Sequence, residues 1–223
     1  LGNLNVDAMP QKKKAMFDIL SLMSFWIYGF CSICFCILFQ DFMCIWVGEE
    51  YLLGNATMYV SVANFYLQGV LYPIWCFRNT TGLFKETKYT MILASFLNIV
   101  LSIALGIIWG MFGIFIATVI SRLCTNIWYD PYRLFKSYFH VSVKSYYIGE
   151  VLRLLFIVLF VAVSELLFMN FSLGVGWYRL IIKMIYCIVV VNGIFFIRYR
   201  NTQAFQFLVG KLLEICKKIP IKK

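Results

Sequence analysis

The sequence predicts an all-α fold, a polytopic transmembrane helical bundle of about six spans, from three observations. First, the 223 residues are 62% hydrophobic and 13% charged, with a mean hydropathy of +0.84, whereas soluble domains are about 25% charged. Second, the sequence contains long apolar stretches of about 20 residues, which is the length that crosses the hydrocarbon core of a bilayer. Third, basic residues occur in every second connection between these stretches.

The predicted spans follow one another with short polar connections. They run from Ile19 to Phe39, Met58 to Phe77, Tyr89 to Trp109, Met111 to Tyr129, Tyr147 to Phe168, and Trp177 to Ile197. The third and fourth spans are nearly continuous and are separated only around Gly110 and Gly113. We therefore expect these two spans to form a tight hairpin with a very short turn.

The distribution of basic residues predicts the orientation, because Lys and Arg concentrate in the cytoplasmic connections of membrane proteins. They precede span one, lie between spans two and three and between four and five, and follow span six, whereas the remaining connections contain none. Both termini are therefore predicted to be cytoplasmic. The predicted organisation is a cytoplasmic segment over 1–14, a transmembrane domain over 15–200 and a basic tail over 201–223.

The two terminal segments carry further expectations. The tail is either an interfacial helix whose lysines contact membrane lipids or a cytoplasmic segment without fixed structure. The chain begins at Leu1 rather than Met, and we expect its N-terminal segment to be truncated.

Composition argues against several classes of function. The net charge of +10 does not predict a nucleic-acid partner, because the basic residues lie between spans rather than on one soluble face. The chain has a single histidine, His140, and its carboxylates are scattered, which leaves a transporter or a membrane-embedded transferase. Cys31 and Cys34 have the spacing of half a zinc site, without a second pair. No metal and no cofactor are predicted.

Three polar side chains near the middle of consecutive spans are the first candidate site. They are Gln68 on span two, Asn98 on span three and Arg122 on span four. An ionisable side chain at this depth costs about 2.5–3.5 kcal/mol on insertion scales, so it indicates function or pairing. Serines and threonines on the same helix faces are interpreted as hydrogen-bonding contacts between helices. For Arg122 we favour a water-filled cavity.

Charged residues near the ends of the spans form two further groups. Glu165 lies near the outer end of span five, and Arg179 and Lys183 share a face near the outer end of span six, so we predict a structural ion pair across this hairpin. Arg153 and Lys183 are also close enough to opposite surfaces to extend to them. Arg78, Lys85 and Lys88 lie at the predicted cytoplasmic mouth, where they either bind an anionic group or only set the topology.

Several sequence motifs resemble one family of membrane proteins. The runs are GVLYPIWCFRNTTGLFKETKYT at 69–90, FLNIVLSIALG at 96–106, GIFIATVISRL at 113–123 and NIWYDPYRLFK at 126–136, with LGNL at 1–4 and WVGEEYLLG at 46–54. Together they resemble the C-terminal half of bacterial polysaccharide repeat-unit flippases, which export O-antigen, capsule and exopolysaccharide units and belong to the multidrug/oligosaccharidyl-lipid/polysaccharide exporter superfamily. Spans five and six resemble this family only in hydropathy.

The resemblance implies a non-enzymatic flippase in the bacterial plasma membrane that moves an undecaprenyl-diphosphate-linked oligosaccharide outward for surface polysaccharide synthesis. Members of this family have two helical lobes around a central, often cationic cavity. The six spans of this chain correspond to part of the second lobe, so a missing N-terminal lobe is an implied partner. The resemblance also implies membrane lipids and polysaccharide assembly proteins as partners. Arg78, Lys85 and Lys88 would capture the diphosphate, and Arg122 would receive it at mid-depth.

Three alternatives stay open. A membrane-embedded polysaccharide polymerase or ligase is expected to carry acid or base groups in an outer connection, and the outer connections here are short and contain no His, Lys or Arg. A drug or metabolite antiporter of the same superfamily is expected to carry deep acidic residues, for which Glu165 is the sequence candidate. The third alternative is a structural membrane subunit.

Overall fold

The computed structural model describes residues 10–82, 84–170, 174 and 176–218, and within these ranges it contains helices and turns but no strand. The all-α bundle predicted from hydropathy is therefore confirmed. In chain order the helices are α1 (Pro10–Trp46), α2 (Asn55–Thr81), α3 (Phe84–Cys124), α4 (Asn126–Leu134), α5 (Lys144–Asn170), α6 (Trp177–Tyr186), α7 (Asn192–Tyr199) and α8 (Gln203–Lys218). A 3₁₀ turn spans Glu49–Tyr51, and π-helical segments span Phe135–Phe139 and Cys187–Val191.

Among the described residues, four helical segments are long and apolar enough to cross a membrane. They are Gln11–Trp46, Thr87–Phe139, Lys144–Asn170 and Trp177–Tyr199. The second contains 53 residues, about twice what one crossing requires. The chain is thus a multi-pass membrane protein, and the helices coincide with the six apolar stretches predicted from the sequence.

A hairpin divides α3 into two antiparallel arms. Gly110 has φ 59° and ψ −134°, a backbone conformation that is not helical and that glycine adopts without steric cost. Gly113 then packs directly against the opposite arm, where a Cβ atom would lie 1.9 Å from the carbonyl oxygen of Leu105. Further along, the Asn98 side-chain amide donates to the Thr118 hydroxyl at 3.0 Å, so the arms stay paired. This confirms the tight hairpin predicted at Gly110 and Gly113.

The second predicted span forms α2, although α2 is not among the four segments with the highest hydropathy. Its polar residues reduce its hydropathy, and they are tolerated because α2 packs between α1 and the α3 hairpin. The helix continues through Pro73, which has no N–H group to donate to the Gly69 carbonyl. The Ser24 hydroxyl of α1 donates to that carbonyl at 2.9 Å and satisfies it. The interior position of α2 therefore explains how a less apolar helix belongs to a membrane bundle.

Two aromatic-rich clusters hold α1 and α2 at the centre of the bundle. The first joins α1 and α2 to α5 and to the rod formed by α6, Cys187–Val191 and α7, and it includes Phe25, Tyr66, Ile157 and Phe195. The second joins the N-terminal half of α1 and the C-terminal half of α2 to α4 and Phe135–Phe139. In contrast, the first arm of α3 leaves large apolar side chains exposed, as expected for a helix facing lipid.

The C-terminal tail forms the helix α8, and the contact of its lysines with membrane lipids stays a prediction. Ala204, Phe205 and Leu208 pack against the first cluster, so this helix lies against the bundle. At the other end, α1 already begins at Pro10, and Lys12, Lys13 and Lys14 belong to the helix rather than to a separate segment. Residues 1–9 lie outside the described residues.

Close approach at Gly69 gives a testable prediction about the α1–α2 contact. A Cβ atom at Gly69 would lie 2.3 Å from Cγ of Tyr28, an atom that cannot move without the ring or the backbone. We expect Gly69→Ala to destabilise the bundle by about 1–3 kcal/mol through overpacking. The control is Gly193→Ala, because a Cβ atom there meets nothing within 4 Å. Thermal unfolding of both variants in detergent checks the prediction, and equal melting temperatures would contradict it.

The alternation of basic connections predicts the sidedness of the helix ends. Reporter fusions at Lys136, between α4 and α5, are expected to lie in the cytoplasm, and fusions at Glu49, between α1 and α2, are expected outside. The path between the two positions contains α2 and the two arms of the α3 hairpin, which are three passes, so the positions are expected on opposite sides. A reporter signal from the outer side at Lys136 would contradict the orientation.

Candidate functional site

A polar cluster forms where α2 meets the α3 hairpin. We use this name for Asn64, Asn98, Thr118, Ser121 and Arg122. The Arg122 guanidinium donates through Nη1 to the Asn64 carbonyl oxygen at 2.9 Å, and the Asn64 side-chain amide donates back to the Phe115 carbonyl at 2.8 Å. These reciprocal bonds fix α2 against the second arm of the hairpin. The Asn98–Thr118 bond then connects the first arm to the same place.

The polar cluster contains two of the three residues predicted at mid-depth. Asn98 and Arg122 are half-buried within it, whereas Gln68 is exposed. The α2 side chain in the cluster is Asn64, which lies one turn before Gln68. Gln68 thus lies outside the polar cluster, and its role in substrate binding stays a prediction.

Most hydroxyl groups on these faces bond to their own helix. Ser61 donates to the Thr57 carbonyl, Ser95 to the Met91 carbonyl and Ser121 to the Thr118 carbonyl. Such bonds satisfy the hydroxyl locally. The bonds between helices come instead from Asn64, Asn98 and Arg122, and Thr118 takes part as an acceptor. The prediction that serine and threonine hydroxyls join the helices is thus corrected for Ser61, Ser95 and Ser121.

Arg122 differs in its partner from the cations Arg78, Arg153, Arg179 and Lys183, which each pair with a carboxylate. Within the described part of the chain, no carboxylate lies within ion-pair distance of its guanidinium, and its one hydrogen bond is to a backbone carbonyl. A guanidinium has five N–H donors in a planar fork that matches two phosphate oxygens. Arg122 lies twelve residues from the hairpin turn at Gly110, which is about 18 Å along a helix. Arg122 is thus a half-buried cation without a carboxylate partner among the described residues, far along the second arm from the turn.

Arg78, which was predicted at a cytoplasmic mouth, is instead buried. Its side chain pairs with Asp130 of α4, with 3.3 Å between Nη1 and Oδ2. Arg78 is 8% exposed and Asp130 1% exposed, and the Asn126 amide donates to the same carboxylate oxygen at 3.4 Å. The assignment of Arg78 as a surface cation that captures phosphate is therefore corrected, because its charge is compensated inside the bundle.

The other two predicted mouth residues are lysines on the first arm of α3. Lys88 is exposed, with its Nζ atom 4.7 Å from the centre of the Tyr89 ring. The side chain of Lys85 lies outside the described residues. Lys88 is thus the member of the predicted group that the structure places at a surface.

The structure gives a different ion pair between the C-terminal part of α1 and α6. Asp41 of α1 contacts both cations of α6, with 2.5 Å from Oδ2 to Lys183 Nζ and 3.4 Å to Arg179 Nε. Glu165, the predicted partner of these cations, accepts a hydrogen bond from the Tyr59 hydroxyl of α2. The predicted pair across α5 and α6 is corrected accordingly. Lys183 is 7% exposed, so it does not extend to the surface as expected.

Arg153 also has a carboxylate partner inside the bundle. Its Nη1 atom lies 2.5 Å from Glu150 and donates to the Ser21 hydroxyl of α1 at 2.8 Å. The guanidinium carbon lies 5.2 Å from the centre of the Phe25 ring. The expectation that Arg153 reaches an interface is wrong, since these contacts hold it against α1. The carboxylates Asp41, Asp130 and Glu150 were not assigned roles from the sequence, although each lies at the depth of the cation it compensates.

Comparisons with models of protein families, with curated proteins and with solved structures found no match to this chain.

Proposed function

We propose that the chain is a flippase that moves an undecaprenyl-diphosphate-linked oligosaccharide from the cytoplasmic to the outer leaflet of the bacterial plasma membrane. One observation carries the proposal: Arg122 has no carboxylate partner in the described residues, whereas Arg78, Arg153, Arg179 and Lys183 each have one. An isolated cation within a multi-pass bundle suits an anionic substrate, because the substrate supplies the missing charge.

The charge of the diphosphate substrate is consistent with an arginine that lacks a carboxylate partner. A diphosphate cannot cross the hydrocarbon core without compensation of its charge, and the planar guanidinium of Arg122 can hold two phosphate oxygens at once. The remaining steps require neither bond breaking nor proton transfer to the substrate. The polar cluster would therefore act by binding and releasing the head group, while the isoprenoid chain remains in lipid.

Three carboxylates of the bundle favour a flippase over a cation-coupled antiporter, whereas Glu165, the sequence candidate for an antiporter, accepts a hydrogen bond from the Tyr59 hydroxyl. Asp41, Asp130 and Glu150 each contact an arginine or a lysine, so in this structure they compensate charge. An antiporter needs a carboxylate that exchanges its cation for a proton or a metal ion. The sequence motifs that suggest the superfamily also resemble its polysaccharide exporters in particular.

The proposal is tested by deleting the gene in the cells that encode the protein. We expect surface polysaccharide to be lost and lipid-linked oligosaccharide to accumulate where periodate added to intact spheroplasts cannot oxidise it. Loss of a polymerase would leave single repeat units on the outer surface, where periodate reaches them. Loss of an antiporter would leave surface polysaccharide unchanged. Either of these last two results would contradict the flippase assignment.

A further inference from the structure

An aromatic groove lies where the hairpin meets α4 and α5, next to the polar cluster: Thr125, which lines the groove, donates to the backbone carbonyl of Ser121. The groove has a volume of about 710 Å³, and five of its lining residues are aromatic. We use the name aromatic groove for the surface formed by Tyr89, Trp128, Tyr129, Tyr132 and Tyr147. Tyr89 comes from the first arm of α3, the next three from α4, and Tyr147 from the start of α5. Three helices thus bring their rings to one place.

The rings on α4 and α5 are held in place by contacts with one another. The Tyr147 hydroxyl donates to the Trp128 carbonyl oxygen, and the two rings lie 5.1 Å apart at an interplanar angle of 58°. Trp128 is nevertheless half exposed, and Tyr89 across the groove is 71% exposed. The Trp128–Tyr147 contact is therefore formed before any ligand arrives, and much of the Trp128 and Tyr89 side chains is left exposed.

Basic side chains surround the rings. Lys136 lies 5.4 Å from the centre of the Tyr132 ring and donates to its hydroxyl at 3.1 Å, and the Arg133 guanidinium lies 6.0 Å from the centre of the Tyr129 ring. Lys88 lies 4.7 Å from the Tyr89 ring. None of the described lining residues is acidic. The aromatic groove thus offers apolar faces inside and positive charge at its rim.

We infer that the aromatic groove binds a sugar attached to a diphosphate, with the sugar against the rings and the diphosphate against the rim cations. The inference rests on the proposed function and names the place where its substrate is first held. The apolar face of a pyranose presents C–H groups that fit the electron-rich face of an aromatic ring. Lysine and arginine are the usual partners of phosphate oxygens.

Interfacial tyrosines and tryptophans also occur singly around membrane proteins, where they anchor the helix in the bilayer. Such a belt does not require rings from three helices to line one volume. An anionic phospholipid would satisfy the rim cations but would leave the inner ring faces without a partner. The combination of rings that line one volume and positive charge at the rim therefore favours a glycosylated diphosphate over a phospholipid head group.

The test uses the protein from the cells that encode it, reconstituted in phosphatidylcholine nanodiscs. Two fluorescent probes are titrated: decaprenyl diphosphate carrying N-acetylglucosamine and the same lipid without the sugar. We expect Tyr89→Ala and Trp128→Ala to weaken binding of the glycosylated probe roughly tenfold. Binding of the probe without sugar should be nearly unchanged. Lys136→Gln is expected to weaken binding of both probes, because it removes charge that contacts the phosphates.

Trp177→Ala is the matched control, since Trp177 is 58% exposed and lies at the start of α6, away from the groove. Melting curves of all variants test whether any of them is unfolded. Because Tyr89 is exposed, its side chain is not needed for packing, and Tyr89→Ala is expected to fold normally. Equal affinity of wild type, Tyr89→Ala and Trp128→Ala for the glycosylated probe would overturn the inference, as would equal weakening for both probes or no binding at all. A failure of the proposed function gives a different pattern: normal groove-dependent binding but no movement of the probe between leaflets.

Discussion

Replacing Arg122 with alanine is expected to reduce surface polysaccharide by roughly ten- to a hundredfold, while the protein accumulates normally in the membrane. Under the proposed function, the reduction follows because the diphosphate loses a charged hydrogen-bonding partner within the bundle. The protein should persist because Arg122 leaves no buried carboxylate uncompensated, and the Asn64 carbonyl remains in its helix. Membrane abundance and polysaccharide are measured in the same cells.

Two companion variants make the Arg122 result specific. Arg122→Lys keeps the charge but loses the planar fork that holds two phosphate oxygens, so we expect it to retain only part of the activity. Arg200→Ala removes the same side chain from an exposed position after α7 and should leave export unchanged. Normal export by an abundant Arg122→Ala protein would remove Arg122 from the mechanism. A protein that fails to accumulate would assign Arg122 a structural role instead.

Replacing Asp130 with alanine is expected to destabilise the bundle by about 3–5 kcal/mol, because it leaves the Arg78 guanidinium buried without its counter-ion. Asp18→Ala is the control. Asp18 pairs with Lys14 at 2.5 Å, but its side chain is 51% exposed, and such pairs contribute about 0.3–0.5 kcal/mol. The melting temperature of the purified protein reports both changes.

A double substitution distinguishes loss of compensation from simple loss of packing. Arg78→Met combined with Asp130→Leu removes both charges and keeps apolar volume, and replacement of a buried pair in this way is often neutral or stabilising. We expect the double variant to melt well above Asp130→Ala. A double variant as unstable as the single one would contradict the view that the buried charge is the cause.

Periodicity and local turn chemistry account for the features that the sequence predicted correctly. The hairpin of α3 follows from two adjoining apolar spans with glycine between them, so Gly110 and Gly113 could be identified without a structure. Asn98 and Arg122 were also placed in their helices correctly, because counting inward from the span ends needs only residue positions. Both features depend on short stretches of chain.

Helix rotation and contacts between distant helices account for the features that were missed. Asp41 meets Lys183 across 142 residues of sequence, and hydropathy contains no information on which helices adjoin. Gln68 and Asn64 are one turn apart on the same side of α2, and hydropathy does not report which turn of α2 lies beside Arg122, whose guanidinium donates to the Asn64 backbone carbonyl. Arg78 was assigned to a surface because its connection is basic, but packing of α4 brought Asp130 to it.

Reconstituted transport tests the flippase assignment most directly. The protein is placed in phosphatidylcholine vesicles that carry a fluorescent polyprenyl-diphosphate sugar in both leaflets, and dithionite is added outside to quench the label. The account predicts that quenching proceeds beyond the outer-leaflet fraction with the wild-type protein and stops at that fraction with Arg122→Ala. Quenching that stops at the outer-leaflet fraction with the wild-type protein, or that is equally complete with Arg122→Ala, would contradict it.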